Sequence, residues 1–216
     1  MPNTVYKTLQ RLRRVVRVSV GAEYLLKDPF VLHKANKPKT QVIFLTTEEL
    51  QTLEKHQFSQ PRLQEVKDWF VFSCYTGLAY NEIRNLKKQH IVTGFDGELW
   101  IEMIREKTQK NISVPLLPRA KFFINKYADD NSKLIFKICS NQRYNSYLKE
   151  IASILGINKR LTTHTARKTF ASTVLLYNDV PMEIVSELLG HSSISITEDS
   201  YGKVVKKKIS DSLRNL

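Results

Sequence analysis

Four side chains whose types suit phosphate chemistry lie in the last quarter of this sequence. His164 and Arg167 stand three residues apart, His191 directly follows Gly190, and Tyr201 comes ten residues after His191. Arginine binds phosphate oxygens through its planar guanidinium, histidine transfers protons near neutral pH, and tyrosine can act as a nucleophile. The alternative for the last two residues is purely structural: a histidine beside a helix cap, followed by a tyrosine of the core.

No pair among these residues is specific by itself. The sequence His-x-x-Arg often occurs by chance, and at helical spacing the two side chains share one face whether or not they have a function. Tyr201 is one of nine tyrosines. The order is more informative: His-x-x-Arg, then about 24 residues, then Leu-Gly-His, and then a tyrosine followed by a basic segment.

Composition and charge favour a folded protein with a polyanionic partner. The 216 residues are 42% hydrophobic and carry a net charge of +13, with a pI of about 9.7. Such a balance is typical of proteins that bind nucleic acid, although a solvated basic surface would give the same total. Basic residues cluster within residues 1–40 and again at 203–208, after Tyr201, which favours contact with phosphates.

Other classes of protein find little support in the sequence. No apolar run reaches the roughly 18 residues of a membrane span, and no apolar signal segment stands at the beginning. Cys74 and Cys139 fit neither a disulfide nor a metal pattern, and no carboxylate cluster suggests a metal site. We therefore expect a protein of the reducing cytoplasm, without a membrane partner, a metal or another cofactor.

Hydrophobic periodicity predicts an α+β fold that is mostly helical, with one small antiparallel sheet of three strands. Residues 6–20 form an amphipathic pattern, and residues 34–41 are polar and contain a proline, which is typical of a linker. Further helices are predicted at 61–75, ending at Gly77, and at 80–88. Strands are predicted at 90–93, 98–107 and 112–116.

Capping residues refine these boundaries. Thr46 and Glu49 have the spacing of a capping box. Asn141 is predicted to cap the helix of residues 144–155. Thr162 or Thr163 is predicted to cap the helix that carries His164 and Arg167. Pro181 is predicted to open the helix of residues 182–189, which Gly190 ends.

Together these motifs resemble the tyrosine recombinases of the phage integrase family, and most closely the integrases of mobile elements in Bacteroides-type bacteria. The resemblance runs from about residue 5 to the C-terminus. Besides the His-x-x-Arg, Leu-Gly-His and tyrosine motifs it includes Phe-Ser-Cys-Tyr-Thr-Gly-Leu-Ala-Tyr at 72–80, Arg-Glu-Lys-Thr at 105–108, Val-Pro-Leu-Leu at 114–117 and Thr-Ala-Arg-Lys-Thr-Phe-Ala at 165–171. Several ordered matches are more specific than any one of them.

The resemblance implies a role for each site residue. Tyr201 would attack a DNA phosphodiester and become covalently linked to its 3′-phosphate, while Arg167 binds that phosphate. His164 would assist proton transfer, His191 would hydrogen-bond the phosphate, and Lys107 would protonate the leaving 5′-oxygen. The implied partners are double-stranded DNA, a homotetramer on paired sites and accessory DNA-bending proteins, at the nucleoid of a bacterium.

One departure from the family pattern concerns the first arginine, which usually follows Thr-Gly-Leu and is Ala79 here. Three hypotheses follow: the protein is inactive, Arg84 substitutes, or Arg105 supplies the charge. Arg84 lies about 140° around a helix from Ala79. Strand side chains alternate, so Arg105 would point the same way as Lys107 and reach the phosphate with it, unless it faces solvent. We favour Arg105, because related Bacteroides-type integrases also lack the first arginine.

Two smaller departures concern Lys168, where most family members have histidine, and the interval from His191 to Tyr201, which is ten residues where many have nine.

The resemblance also implies a domain division: residues 1–33 as the last helix of a core-binding domain, 34–44 as a linker and 45–216 as the catalytic domain.

Several alternatives stay open at this point. The helix after Tyr201 either docks on a neighbouring subunit or packs on its own domain. The rival functions are an inactive DNA-binding protein derived from a recombinase and a nicking-closing enzyme similar to type IB topoisomerases.

Overall fold

The computed structural model describes residues 3–33, 36, 42–105, 109–129, 131–191 and 193–214. The chain divides into two compact units, Met1–Gln41 and Val42–Leu216. The first contains α1 (Asn3–Gly21), which includes the helix predicted at residues 6–20 and has no buried residue. The predicted linker lies largely outside the described residues, and the assignment of the first unit to a core-binding domain stays a prediction.

The second unit is mostly helical, as predicted. Its helices are, in chain order, α2 (Thr47–Lys55), α3 (Pro61–Thr76), α4 (Tyr80–Arg84), α5 (Pro118–Tyr127), α6 (Asn141–Ile154), α7 (Thr163–Thr169), α8 (Met182–Leu188) and α9 (Ile194–Arg214). A 3₁₀ turn (Lys88–His90) follows α4, and a π-helix (Phe170–Leu175) with a 3₁₀ turn (Leu176–Asn178) connects α7 to α8.

Helix α3 is the centre of this unit. It packs against α2, α5, α6 and α7, so apolar side chains on most of its circumference are buried, including Phe70 and Phe72. Phe72 meets Phe136 edge to face, with ring centroids 4.8 Å apart. Pro61 opens the helix at its first turn, and Gly77 ends it with φ of +66°, as predicted.

Most predicted helix boundaries are confirmed, and two are wrong. Thr46 and Glu49 form the capping box: the Thr46 N–H donates to Glu49 Oε2 over 2.7 Å, and the Glu49 N–H donates to Thr46 Oγ1 over 3.3 Å. Helix α6, however, is capped by Ser140, whose Oγ accepts from the Arg143 N–H, and not by Asn141. Helix α4 ends at Arg84, four residues before the predicted end.

The sheet has three antiparallel strands in the order β1 (Ile91–Thr93), β2 (Leu99–Ile104) and β3 (Asn111–Pro115). Ile101 of β2 pairs with Val114 of β3, and both side chains are buried. Strand β2 ends at Ile104, three residues before the predicted end, so Arg105 directly follows the strand.

Two hydrogen bonds connect the segment from α7 into the π-helix to the residue that lies just before the N-cap of α2. The Leu45 N–H donates to Thr169 Oγ1 over 2.9 Å, and Thr173 Oγ1 donates to the Leu45 carbonyl oxygen. Both hydroxyls are buried, and they provide hydrogen-bond partners for the N–H and the carbonyl oxygen of the buried Leu45. Among the residues described, no helix is long and apolar enough to cross a membrane.

Candidate active site

Two arginine side chains that are far apart in sequence meet at one backbone carbonyl. Arg105 Nη1 donates a hydrogen bond of 2.5 Å to the carbonyl oxygen of Leu189, and Arg167 Nη2 donates to the same oxygen. The two positive charges are close enough for Arg105 to lower the pKa of Arg167. Two guanidinium groups held side by side can bind one phosphate from two directions.

The end of α3 and the start of α7 position Arg167. Thr162 caps α7, as predicted, because its Oγ1 accepts a hydrogen bond of 3.2 Å from the Thr165 N–H. Arg167 Nη1 donates a hydrogen bond of 2.6 Å to the Gly77 carbonyl oxygen. Gly77 itself lies against Phe170, where a Cβ would come within 2.4 Å of the ring. The guanidinium is thus oriented by a hydrogen bond to a closely packed turn.

Glu82 holds Arg105 from the other side. Glu82 Oε1 lies 2.7 Å from Arg105 Nε, and Glu82 Oε2 accepts a hydrogen bond of 2.7 Å from the Ala79 N–H. Both ionised side chains are buried. The position that carries arginine in most of the resembled family is therefore linked, through one carboxylate, to the arginine that follows β2. The alternative of a solvent-facing Arg105 is wrong.

Gly190 makes room for Arg105. It ends α8 with φ of +59°, its N–H donates to the Glu187 carbonyl oxygen over 2.7 Å, and the His191 N–H donates to that of Ser186 over 3.0 Å. A Cβ at Gly190 would lie 2.8 Å from Arg105 Nη1, which is too close for a side chain. Glycine is required here both for the backbone conformation and for the approach of the guanidinium.

His191 joins the same cluster. Its Nδ1 lies 2.7 Å from Thr197 Oγ1, a contact between the residue after Gly190 and the first turn of α9. Burial lowers the pKa of His191, and the charges of Arg167 and Arg105 lower it further. This lowering favours the neutral imidazole, whose single N–H can donate a hydrogen bond beside the two arginines.

Tyr201 lies on α9 and is only 4% exposed. Burial raises the pKa of Tyr201 to about 12, and the positive charge of Arg167 opposes that rise. The phenol and the guanidinium are therefore close enough to interact. A tyrosine beside an arginine is suited to nucleophilic attack on phosphorus, because the cation favours the attacking phenolate.

Arg167 keeps its charge in this environment. Burial and the charge of Arg105 lower the pKa of Arg167 to about 10, whereas Glu82 and Tyr201 act in the opposite direction. A pKa of about 10 leaves the guanidinium protonated at neutral pH. The buried carboxylate of Glu82 explains how two neighbouring arginines can both be partly or fully buried.

The structure brings Arg105, Arg167, His191 and Tyr201 together. His164 lies one turn before Arg167 in α7, and its side chain is exposed. Lys107 lies outside the described residues, so its relation to Arg105 stays a prediction.

Arg84 is placed elsewhere, and three further residues enter the site. Arg84 is exposed and lies near Tyr80, where its charge opposes the rise that burial causes in the pKa of Tyr80. The residues that the sequence interpretation missed as part of the site are Glu82, Leu189 and Thr197. An available signal for Glu82 was its position three residues after Ala79, where an acidic side chain can accept from the N–H at the start of a helix.

Comparison with protein families identifies the family of this chain. The phage integrase family model matches residues 43–208, which is most of the second unit. The chain is a member of the phage integrase family. In the part of this family member that the structure describes, no group of three or more histidine, cysteine or acidic side chains could hold a metal ion.

Curated relatives of this phage integrase family member include proteins named as tyrosine recombinases. The tyrosine recombinase XerD of Lacticaseibacillus casei is 25% identical over 213 residues, which cover 91% of this chain and 71% of that protein. XerD of Listeria monocytogenes serotype 4b (strain F2365) is 32% identical over 153 residues, which cover 63% of this chain and 49% of that protein. The chain thus spans only about half the length of some relatives.

Solved structures of the family share the fold. A lambda integrase dimer bound to a COC′ core site matches with a TM-score of 0.70 and 15% identity, over 94% of this chain and 72% of that one. The XerH site-specific recombinase bound to palindromic difH substrate, a post-cleavage complex, matches with a TM-score of 0.65 and 17% identity. The match covers 83% of this chain and 55% of that one. The mostly helical fold with its three-stranded sheet is that of tyrosine recombinase catalytic domains.

Proposed function

We propose that this chain is the catalytic domain of a site-specific DNA recombinase, which cleaves and rejoins DNA through a 3′-phosphotyrosyl intermediate. The observation that carries the proposal is the meeting of two arginines, Arg105 and Arg167, with His191 and Tyr201 in one cluster. Family membership and relatives named as tyrosine recombinases support it.

The proposed reaction begins when Tyr201 Oη attacks the phosphorus of a DNA phosphodiester. The bond between phosphorus and Oη forms, and the bond between phosphorus and the 5′-oxygen breaks. The phenol loses its proton, and the departing 5′-oxygen gains one and becomes a hydroxyl, so the exchange consumes neither water nor ATP. A 5′-hydroxyl that attacks the phosphotyrosine reverses the step and releases Tyr201.

Each remaining site residue has a proposed task in that step. Arg105 and Arg167 bind the non-bridging oxygens and stabilise the charge that builds up in the transition state. Each guanidinium uses only part of its five N–H groups in the contacts described above, which leaves others for phosphate oxygens. His191 donates to the same phosphate, Lys107 protonates the leaving oxygen, and His164 assists proton transfer.

Arg105 is proposed to replace the missing first arginine. Its guanidinium shares an acceptor with Arg167 and is tied through Glu82 to the backbone of Ala79, so it lies beside the position where the family pattern has arginine. The finer assignment, to mobile-element integrases of Bacteroides-type bacteria, is also a proposal, supported by the motif resemblance and by alanine at position 79, where most of the family has arginine. The division into residues 1–33, 34–44 and 45–216, with the first part belonging to a core-binding domain, is likewise a proposal.

The proposed partners follow from charge and from the reaction. Double-stranded DNA is the substrate, which the net charge of +13 favours electrostatically. Exchange between two DNA sites needs four cleaved strands, so we propose a homotetramer on paired sites, with accessory DNA-bending proteins, in the bacterial cytoplasm at the nucleoid. Binding is expected to weaken steeply with added salt.

A covalent-trapping experiment tests the proposal. The protein is incubated with nicked suicide substrates that are taken from the junctions of the encoding element, and DNA-linked protein is sought on denaturing gels. The expected result is an adduct that disappears in Tyr201→Phe and persists in Tyr177→Phe, the matched control at another tyrosine. DNA binding without any adduct would favour the inactive, recombinase-derived alternative.

A further inference from the structure

Thr197 contacts the proposed phosphate-binding histidine from the nucleophile's own helix. Its Oγ1 lies 2.7 Å from His191 Nδ1, and its side chain is fully buried. Thr197 precedes Tyr201 by four residues on α9, so the two side chains lie one turn apart on the same face. The contact therefore joins the helix of the proposed nucleophile to the imidazole.

The direction of this hydrogen bond follows from the burial of Thr197. A buried hydroxyl has to donate its proton, because leaving it unpaired costs free energy. Helical threonines commonly donate to the carbonyl four residues earlier, which here belongs to Ser193. Within the described segments, however, His191 Nδ1 is the partner of Thr197 Oγ1. The hydroxyl accordingly donates, and Nδ1 accepts.

The neutral imidazole carries one N–H, so its position decides what the ring can do. If Nδ1 accepts from Thr197, the hydrogen resides on Nε2. The ring lies close enough to Arg105 and Arg167 to feel both charges. Nε2, which has no hydrogen-bond partner among the described residues, is then a donor to an anionic oxygen held by those arginines. With the opposite tautomer it would present a lone pair and repel that oxygen.

We propose that Thr197 is a positioning residue: its hydroxyl donates to His191 Nδ1 and fixes the tautomer that carries its hydrogen on Nε2, so that His191 can donate to the scissile phosphate. The second half of this statement rests on the proposed function, whereas the tautomer itself does not. Because Thr197 lies in the first turn of α9, the histidine is set correctly only when that turn is folded.

The first measurement is the ¹⁵N NMR spectrum of the histidine side chains in the full chain, with His191 assigned by His191→Gln. The expected wild-type spectrum shows a protonated Nε2 and an unprotonated Nδ1. Thr197→Val, which keeps the side-chain shape, should yield a mixture of tautomers, and Thr197→Ser should restore the wild-type pattern. A hydrogen on Nδ1 in the wild type, or no change in Thr197→Val, would overturn the proposal.

Adduct formation with the suicide substrate is the second measurement. Thr197→Val should slow it about tenfold, which corresponds to about 1.4 kcal/mol and to the loss of one hydrogen bond, while DNA affinity stays constant. Thr197→Ser should retain the rate. The control is Thr173→Val, which removes another buried hydroxyl, one that contacts Leu45. An equal loss of rate in both valine variants would indicate a merely structural role.

The two measurements separate the two proposals. If the wild type forms no adduct at all, the proposed function fails, but the NMR spectrum still decides the tautomer. If Thr197→Val does not fold, the spectra of the wild type and of Thr197→Ser decide the tautomer of His191.

Discussion

Glu82 and Arg105 form a buried ion pair, with 2.7 Å between Oε1 and Nε and with only 6% and 10% of the two side chains exposed. Water screens such a pair poorly, and removal of one partner leaves the other charge buried without compensation. The second oxygen of Glu82 binds the N–H of Ala79. The geometry of the arginine pair thus depends on an acidic residue that touches neither Arg167 nor Tyr201 by a hydrogen bond.

Replacement of Glu82 by glutamine (Glu82→Gln) is expected to lower the free energy of unfolding by about 3 kcal/mol, because the charge of Arg105 stays buried. Urea unfolding measures the change. The control is Glu98→Gln, which breaks an ion pair with Lys121 in which the Glu98 side chain is 63% exposed, so little change is expected there. Equal effects of the two substitutions would contradict a structural role for the buried pair.

Removal of the proposed substitute arginine should abolish most of the chemistry. Arg105→Ala is expected to slow adduct formation by about 10²–10³-fold, as the loss of one transition-state donor does. Arg84→Ala, at an exposed arginine near Tyr80, should leave the rate nearly unchanged. Because Arg105→Ala also unpairs Glu82, the rate is measured again with Glu82→Gln added. Normal cleavage by Arg105→Ala would refute its role.

A side chain at Gly190 should displace Arg105. Gly190→Ala places a Cβ 2.8 Å from Arg105 Nη1 at a residue with φ of +59°. Gly156→Ala is the matched control, since Gly156 also follows a helix, has φ of +64° and has open space around its Cβ position. Both substitutions carry the cost of the left-handed conformation, about 1 kcal/mol.

Gly190→Ala should lower the free energy of unfolding by more than this shared cost and should also slow adduct formation. Gly156→Ala should do neither. The extra loss of stability should vanish when Arg105→Ala is added, because the clashing group is then gone. An undiminished penalty in the double variant would mean that another neighbour, such as Ile112, limits the space.

Tyr201 should make folding sensitive to alkaline pH. Its pKa is raised to about 12 in the folded protein, against about 10 in an unfolded chain. The stability gained from the neutral phenol is therefore complete below pH 10 and lost as pH rises from 10 to 12. At pH 11 the wild type should have lost about 1.4 kcal/mol relative to Tyr201→Phe, and almost nothing at pH 9.

Urea unfolding of both proteins at pH 9 and pH 11 measures this difference. Tyr24→Phe, at a residue that is 84% exposed, controls for the loss of a phenol as such. A gap between the wild type and Tyr201→Phe that stays constant with pH would show that the phenol is not held in the buried environment described.

Local signals predicted most of the fold. The capping box of Thr46 and Glu49, the glycines that end α3 and α8, and the alternation in the strands each depend on neighbours a few residues away, so the sequence displays them directly. The wrong cap at Asn141 has the same origin. Ser140 and Asn141 are adjacent and both are good capping residues, so only the backbone conformation distinguishes them.

The site was harder to predict because its contacts join distant segments. The sequence favours Arg105 because of its spacing from Lys107 and the missing arginine at Ala79, yet what orients it in the described structure is Glu82, 23 positions earlier, and Leu189, 84 positions later. Sequence spacing cannot show which carboxylate neutralises which guanidinium once both are buried. Thr197 was overlooked for the same reason, since a threonine in an apolar helix face resembles any other core position.

Helix α9 is one uninterrupted rod, and its internal geometry links events that would otherwise be independent. At 100° per residue, Thr197, Val204 and Lys208 all lie within about 60° of Tyr201 around the axis. Lys208 Nζ binds Asp179 Oδ1 over 2.5 Å, about 10 Å along the helix from the phenol. Any rotation that carries Tyr201 toward a phosphate must also pull on Lys208 and on the hydrogen bond of Thr197. Tyr201, the hydrogen bond to His191 and a surface ion pair are therefore mechanically coupled through one continuous helix.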